Sequence, residues 1–149
     1  MPLDTHDHET IALVSCVKKK RRGPCAAGDL YVSPLFCFMR SYAERHADRW
    51  FILSAKYGLL EPDARVTHYE QTLNDMPSRA RRAWAERVLA DMRAAGLLHA
   101  GAAFVWLAGQ AYQRHLSVLL AGFPQTDPLA GMRFGERLAW LKKHNVQAR

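Results

Sequence analysis

Arg49-Trp50-Phe51-Ile52-Leu53-Ser54-Ala55-Lys56-Tyr57-Gly58-Leu59-Leu60-Glu61-Pro62 opens as a short apolar run with no helical period. That is the pattern of a strand buried on both faces. The run then breaks into a small residue, a cation, an aromatic with a hydroxyl, and a glycine. A buried strand that ends this way carries a polar cluster at its carboxyl end, where open α/β sheets place their ligands. Ser54 to Gly58 therefore reads as one wall of a binding site.

Two further segments repeat the pattern. Ile11 to Val17 is short, apolar and rich in β-branched residues, and it ends in Ser15 and Cys16. Ala102 to Leu107 is a third strand, and it breaks into Ala108-Gly109-Gln110-Ala111-Tyr112. Between the first two strands, Ser33-Pro34 opens a helix: Ser33 can cap free amides, and Pro34 suits the first helical position. Leu35, Phe36, Met39, Tyr42 and Ala43 recur at helical spacing. Strand, helix and strand in this order form a right-handed βαβ unit that sets Ser15-Cys16 beside Ser54-Ala55-Lys56. Residues 59–77 read as irregular. A long helix over 79–95 follows, with an apolar line through Trp84, Val88, Leu89 and Met92 and a stop at Gly96. Further helices are expected over 112–120 and 135–144.

The expected architecture is a single α/β domain over 11–149, preceded by a mobile tail over 1–10. Its sheet should be small and mostly parallel, with helices on both faces in a three-layer α/β/α sandwich. The chain has 149 residues, 49% of them hydrophobic, enough for one ordinary core. No apolar run is long enough to span a bilayer. Met1 to Thr10 lacks the basic-then-apolar plan of a secretion signal, so the cytoplasm is the expected location. The three cysteines, Cys16, Cys25 and Cys37, do not make a disulfide framework.

Lys and Arg total 21 against 14 Asp and Glu, a net charge of +7, which favours an anionic partner. Lys18, Lys19, Lys20 and Arg21, with Arg22, form one block beside the first strand end and suit phosphate contacts there. Arg79, Arg81 and Arg82 read as a solvated helix face.

Together the three strand ends offer glycine amides, hydroxyls, an amide side chain, aromatic faces and cations. That inventory suits a planar heteroaromatic bearing a sugar or phosphate. Ser15, Tyr31, Ser54, Tyr57, Gly58, Gly109, Gln110 and Tyr112 are the candidate binding residues. Lys56 fits either a charge-neutralising catalytic role or a lysine whose stem simply covers apolar surface. Cys16 fits a nucleophile or a packed thiol, and Asp29 a general base or a turn residue. Tyr57 and Tyr112 suit base stacking or closure of the core rim. Zinc spacings, the Gly-x-Ser-x-Gly elbow, the phosphate loop and the dinucleotide fingerprint are all missing, so no metal or cofactor is expected.

Several motifs carry a resemblance. Ser15-Cys16-x-Lys-Lys, Ala27-x-Asp-Leu-Tyr-x-Ser-x-Leu-Phe, Phe51-Ile-Leu-Ser-Ala-Lys-Tyr-Gly-Leu-Leu-x-Pro, Tyr69-x-x-Thr-Leu-Asn and Pro128-Leu-x-Gly resemble a family of small bacterial and phage proteins of unknown function. Ser54-Ala-Lys-Tyr-Gly-Leu-Leu-x-Pro is also similar, more distantly, to a segment of the YaaA peroxide-stress proteins, which bind DNA and have relatives in systems that place 7-deazaguanine in DNA. It resembles a segment of the uracil-DNA-glycosylase-like domain of archaeosine synthases as well. Those resemblances imply a uracil-DNA-glycosylase-like fold and a nucleobase or nucleic-acid ligand. The Gly-Gln-Asp-Pro-Tyr and His-Pro-Ser-Pro motifs of uracil glycosylases are absent. The leading expectation is an enzyme acting on a modified or damaged nucleobase or nucleoside, by N-glycosidic or deazaguanine-type chemistry, with DNA, RNA or a nucleotide as partner. The alternative is a non-catalytic DNA-binding stress-response protein.

Overall fold

The structure, a computed structural model of the chain, describes residues 8–15, 24–30, 33–66 and 72–147. Strand β1 spans Glu9–Ser15, and Ile11 to Ser15 are all buried. A short strand β2 (Cys25–Ala26) and a single helical turn α1 (Ala27–Leu30) precede helix α2 (Pro34–His46). Ser33 caps α2 as its sequence predicts, its Oγ accepting the Phe36 amide at 3.2 Å. Phe36, Met39 and Ala43 form the buried side of that helix.

Strand β3 (Arg49–Ser54) is followed by β4 (Gly58–Leu60) and β5 (Arg65–Val66). A 3-10 turn (Leu73–Asp75) leads to α3 (Ser78–Ala94), which buries Trp84, Ala85, Val88 and Met92. Beyond α3, Gly96 adopts φ 75°, and the Leu97 amide returns to the Met92 carbonyl at 3.0 Å. Glycine ends the helix there because a side chain would oppose the left-handed backbone. Strand β6 (Ala102–Leu107), α4 (Gln110–Leu119), β7 (Gln125–Thr126) and α5 (Phe134–Gln147) complete the order.

The main sheet is a mixed five-stranded one in the order β4-β3-β1-β6-β7, and the domain is α/β. β1 lies parallel to β3 on one side and to β6 on the other; β7 is parallel to β6, while β4 runs antiparallel to β3. Helix α2 packs with α5, and α3 with α4. From β1 the chain crosses leftward to β3, and from β6 it crosses rightward to β7. Right-handed crossovers in opposite directions place α2 and α4 on opposite faces. The neighbouring ends of β1 and β6 are thus followed by helices on opposite faces, the topological switch point of an open α/β sheet. Among the described residues no helix is long and apolar enough to cross a membrane.

Three expectations change. Residues 59–77 are not irregular throughout: Leu59 and Leu60 pair with β3, and Arg65–Val66 pairs antiparallel with Cys25–Ala26. Strands this short leave no periodicity to read. Glu9 and Thr10 belong to β1 rather than to a tail. Arg49 donates to both Glu9 oxygens, at 2.6 and 3.0 Å, and His99 lies 2.9 Å from one of them. The Thr10 amide donates to Asp48 at 2.7 Å. Helix α4 begins two residues earlier than expected, because Gly109, extended at ψ 162°, serves as its N-cap.

Candidate functional site

The carboxyl rim of the sheet is built by register. Ser15 pairs with Leu53, and Val14 pairs with Leu107, so Ser15, Ser54 and Ala108 end within one residue of the same level. Ser15 is 4% exposed. Its Oγ accepts the amide of Gly109 at 3.2 Å and ties the end of β1 to the turn that follows β6. Among the described residues, a Cβ built on Gly109 would meet nothing within 4 Å. Gln110, the first residue of α4, is exposed. The first-turn amides of a helix and its dipole favour an anion.

Ser54 to Gly58 is a tight hairpin turn. Ser54 pairs with Gly58, leaving Ala55, Lys56 and Tyr57 as a three-residue loop closed by Gly58 at φ 75°. This is the loop length that calls for glycine in the left-handed region. The wall read from the sequence is thus also the device that reverses the chain and makes the sheet mixed. Ser54 is fully buried, and its Oγ accepts the Tyr57 amide at 3.0 Å.

Helix α3 holds this turn from below. Trp84 donates through Nε1 to the Ser54 carbonyl at 2.8 Å. Arg87 donates to the carbonyls of Lys56 and Tyr57, each at 3.1 Å. A Cβ on Gly58 would stand 3.0 Å from Asp91 Oδ2 and 3.3 Å from Arg87 Nε, so the side-chain ends of α3 pack directly against the turn. With its carbonyls engaged, the turn presents Lys56 exposed and Tyr57 half-buried, the Lys56 Nζ lying 5.2 Å from the Tyr57 ring centre.

The basic helix is not a uniformly solvated face. Arg81 donates to the carbonyls of Leu73 and Asn74, at 2.8 and 3.1 Å, as Arg87 does to the turn. Arg79 and Arg82 are exposed. Tyr112 stands in the core rather than as a platform on the rim. It is 4% exposed, edge-to-face with Trp84 at 5.7 Å, and its hydroxyl lies 3.4 Å from the Leu73 amide.

Asp29 is exposed in α1 and sits against α2. Arg40 donates through Nη1 to the Gly28 carbonyl at 2.6 Å and to the Asp29 carboxylate at 3.0 Å. The same guanidinium lies over the Trp50 ring at 5.6 Å, beside the second residue of β3 and far back from its end. Burial pulls the Arg40 guanidinium pKa down, but hydrogen bonds to Asp29 and Glu44 outweigh it, and the net direction is up. The structure therefore joins Ser15, Ser54, Lys56, Tyr57, Gly58, Gly109 and Gln110 along one rim and sets Asp29 on the flank. The expectations for Cys16, Lys18, Lys19, Lys20, Arg21 and Tyr31 lie outside the described residues.

Reading the sequence missed one pair at this edge. Gln113 is 8% exposed, and its Nε2 donates both to the Ala108 carbonyl, at 2.8 Å, and to Asp127 Oδ2, at 3.0 Å. Asp127 follows directly after β7, and its Oδ1 accepts the Leu129 amide at 3.2 Å. The available signal was Asp127-Pro128 after a short strand, which reads as a turn and conceals the carboxylate.

A protein-family model described as a family of unknown function (DUF6884) matches residues 11–143. One curated relative, "Uncharacterized protein YfjM" of Bacillus subtilis (strain 168), is 39% identical over 69 residues. That match covers 42% of this chain and 46% of the relative, so the chain spans less than half of that protein's length. No solved structure matches the chain.

Proposed function

The chain belongs to this family of unknown function, DUF6884, and we propose that it is an enzyme acting on a modified or damaged nucleobase or nucleoside bound at the carboxyl rim. The observation that carries this reading is the bond between Ser15 Oγ and the Gly109 amide. It joins the ends of β1 and β6 at the topological switch point of the sheet, the place where open α/β sheets take nucleotides. At the ends of the neighbouring strands stand a side-chain amide able to donate to and accept from a base edge (Gln110), an aromatic face (Tyr57) and a cation (Lys56). The first turn of α4 suits a phosphate or a ribose-linked anion.

In this reading Gln110 pairs with the base edge, Tyr57 stacks on the ring, and Lys56 neutralises charge that develops as the base is altered or released. The similarity of the Ser54–Pro62 segment to the YaaA proteins and to the archaeosine-synthase domain points to the same ligand class and to a uracil-DNA-glycosylase-like sandwich. Asp29, paired with Arg40, is left out of the reacting group.

The test is binding and turnover of modified nucleosides by Lys56→Ala and Gln110→Ala. Each variant should lose at least about tenfold in affinity or rate, the worth of one charge-assisted or base-edge hydrogen bond, with unfolding midpoints near that of the wild type. Full function in both variants overturns the reading. The exposed Arg79 and Arg82 favour a second reading, a non-catalytic DNA-binding protein. It predicts binding that falls steeply with salt, survives Lys56→Ala and is lost on reversing the charge of those two arginines.

A further inference from the structure

We propose that Asp127 is the residue that selects the sugar: it binds the ribose hydroxyls of the ligand, so that the preferred ligand is a ribonucleoside or ribonucleotide rather than its 2′-deoxy counterpart. The inference rests on the rim reading above and deepens it.

The segment from β6 through α4 to β7 is a parallel βαβ unit, since Phe104 pairs with Gln125 and Val105 with Thr126. Its turn is Ala108-Gly109, and its second strand ends at Thr126, directly before Asp127. In mononucleotide-binding βαβ units the first turn approaches the phosphate, and an acidic residue about 20 positions on, after the second strand, takes the ribose hydroxyls. Asp127 occupies that place in the topology. Only one glycine is present in the turn, so the motif itself is not in the sequence; the arrangement is.

The carboxylate is fixed for such a role. One nitrogen, Gln113 Nε2, holds both the Ala108 carbonyl of the turn and Asp127 Oδ2, which locks the acid to the strand end it would serve. The Leu129 amide fixes Oδ1. Each carboxylate oxygen can accept more than one hydrogen bond, so each keeps a lone pair for a hydroxyl donor. Asp127 is half-buried rather than sealed, whereas Gln113, which positions it, is 8% exposed. Pro128 has no amide to extend β7, so the chain turns away and leaves the acid at the strand end.

The experiment measures wild-type affinity for the four ribonucleoside 5′-monophosphates and their 2′-deoxy counterparts, and repeats it with Asp127→Asn and Asp127→Ala. Asparagine can keep the turn bond to the Leu129 amide through Oδ1, but its Nδ2 cannot accept from Gln113. The unfolding midpoint of each variant is therefore measured beside its affinities, to detect a variant that merely misfolds. The wild type should favour the ribo form by about tenfold or more, the worth of a hydrogen bond to a charged acceptor. Both variants should lose most of that preference. A wild type that binds ribo and deoxy forms equally overturns the inference and leaves the nucleobase reading standing. So does a variant that weakens both forms in proportion, since a purely structural role lowers both affinities without moving their ratio. A wild type that binds none of the eight nucleotides removes the nucleotide-binding premise, and the inference with it.

Discussion

Ser15 Oγ accepts the Gly109 amide at 3.2 Å, so the end of the central strand is bonded to the N-cap of the helix that follows its neighbour. The two residues are 94 positions apart in sequence, and the bond forms only when β1, β3 and β6 lie side by side. Ser15→Ala leaves that amide without its acceptor at a site where the serine is 4% exposed. Because the Gly109 amide is only half-buried and water can partly replace the lost acceptor, the variant should lose about 1 kcal/mol of stability, the net worth of an ordinary hydrogen bond. This is read as a lower urea midpoint with an unchanged slope. Ligand affinity at the rim should fall with it.

Gly58→Ala tests the hairpin. The backbone there is left-handed at φ 75°, and the added methyl would meet Asp91 Oδ2 at 3.0 Å. A non-glycine residue in that region costs roughly 1–3 kcal/mol, and the side-chain ends of Asp91 and Arg87 must shift to admit the methyl. Thermal melting should show a clear drop in midpoint. A midpoint unchanged within error would mean that the turn does not hold this conformation.

Arg87→Ala separates positioning from stability. The turn would lose two donors to the Lys56 and Tyr57 carbonyls. Amide hydrogen exchange over 54–60 should speed up, while exchange in β1 and β6 stays near its original rate. Equal acceleration everywhere would show that Arg87 supports the whole fold instead of the turn.

The far end of the sheet predicts a pH effect. The Arg49 hydrogen bond, against some burial and with help from His99, holds the Glu9 carboxyl below its usual 4.5. A carboxyl with a depressed folded-state pKa adds stability above its unfolded value and loses it as the pH falls through the folded one. Wild type should therefore exceed Glu9→Gln in urea stability at pH 7. The gap should close as the pH falls below about 4.5. A gap that stays constant from pH 7 to pH 3 would assign the loss to packing rather than to charge.

Much of this was legible in the residues. Apolar runs without alternation gave β1, β3 and β6, and Ser33-Pro34 gave the start of α2, because these features are local. β4 and β7 escaped notice because strands of two or three residues carry no period; only their partners define them. The rim residues Ser15, Ser54 and Gly109 could be named because each follows directly on an apolar run. The clamps Trp84 and Arg87 could not, since their acceptors are backbone carbonyls about 30 residues away, which no side-chain pattern marks. Asp29 and Tyr112 looked like site residues by their chemistry, yet Arg40 and Trp84 draw them to the flank and the core.

The most direct test of the central claim is to equilibrate the protein with a nucleoside pool from digested cellular nucleic acid and identify by mass spectrometry what it retains or converts. The account predicts that the wild type enriches or consumes a specific modified nucleoside or base, and that Lys56→Ala and Gln110→Ala do so far less. A pool left identical by wild type and variants alike would contradict it.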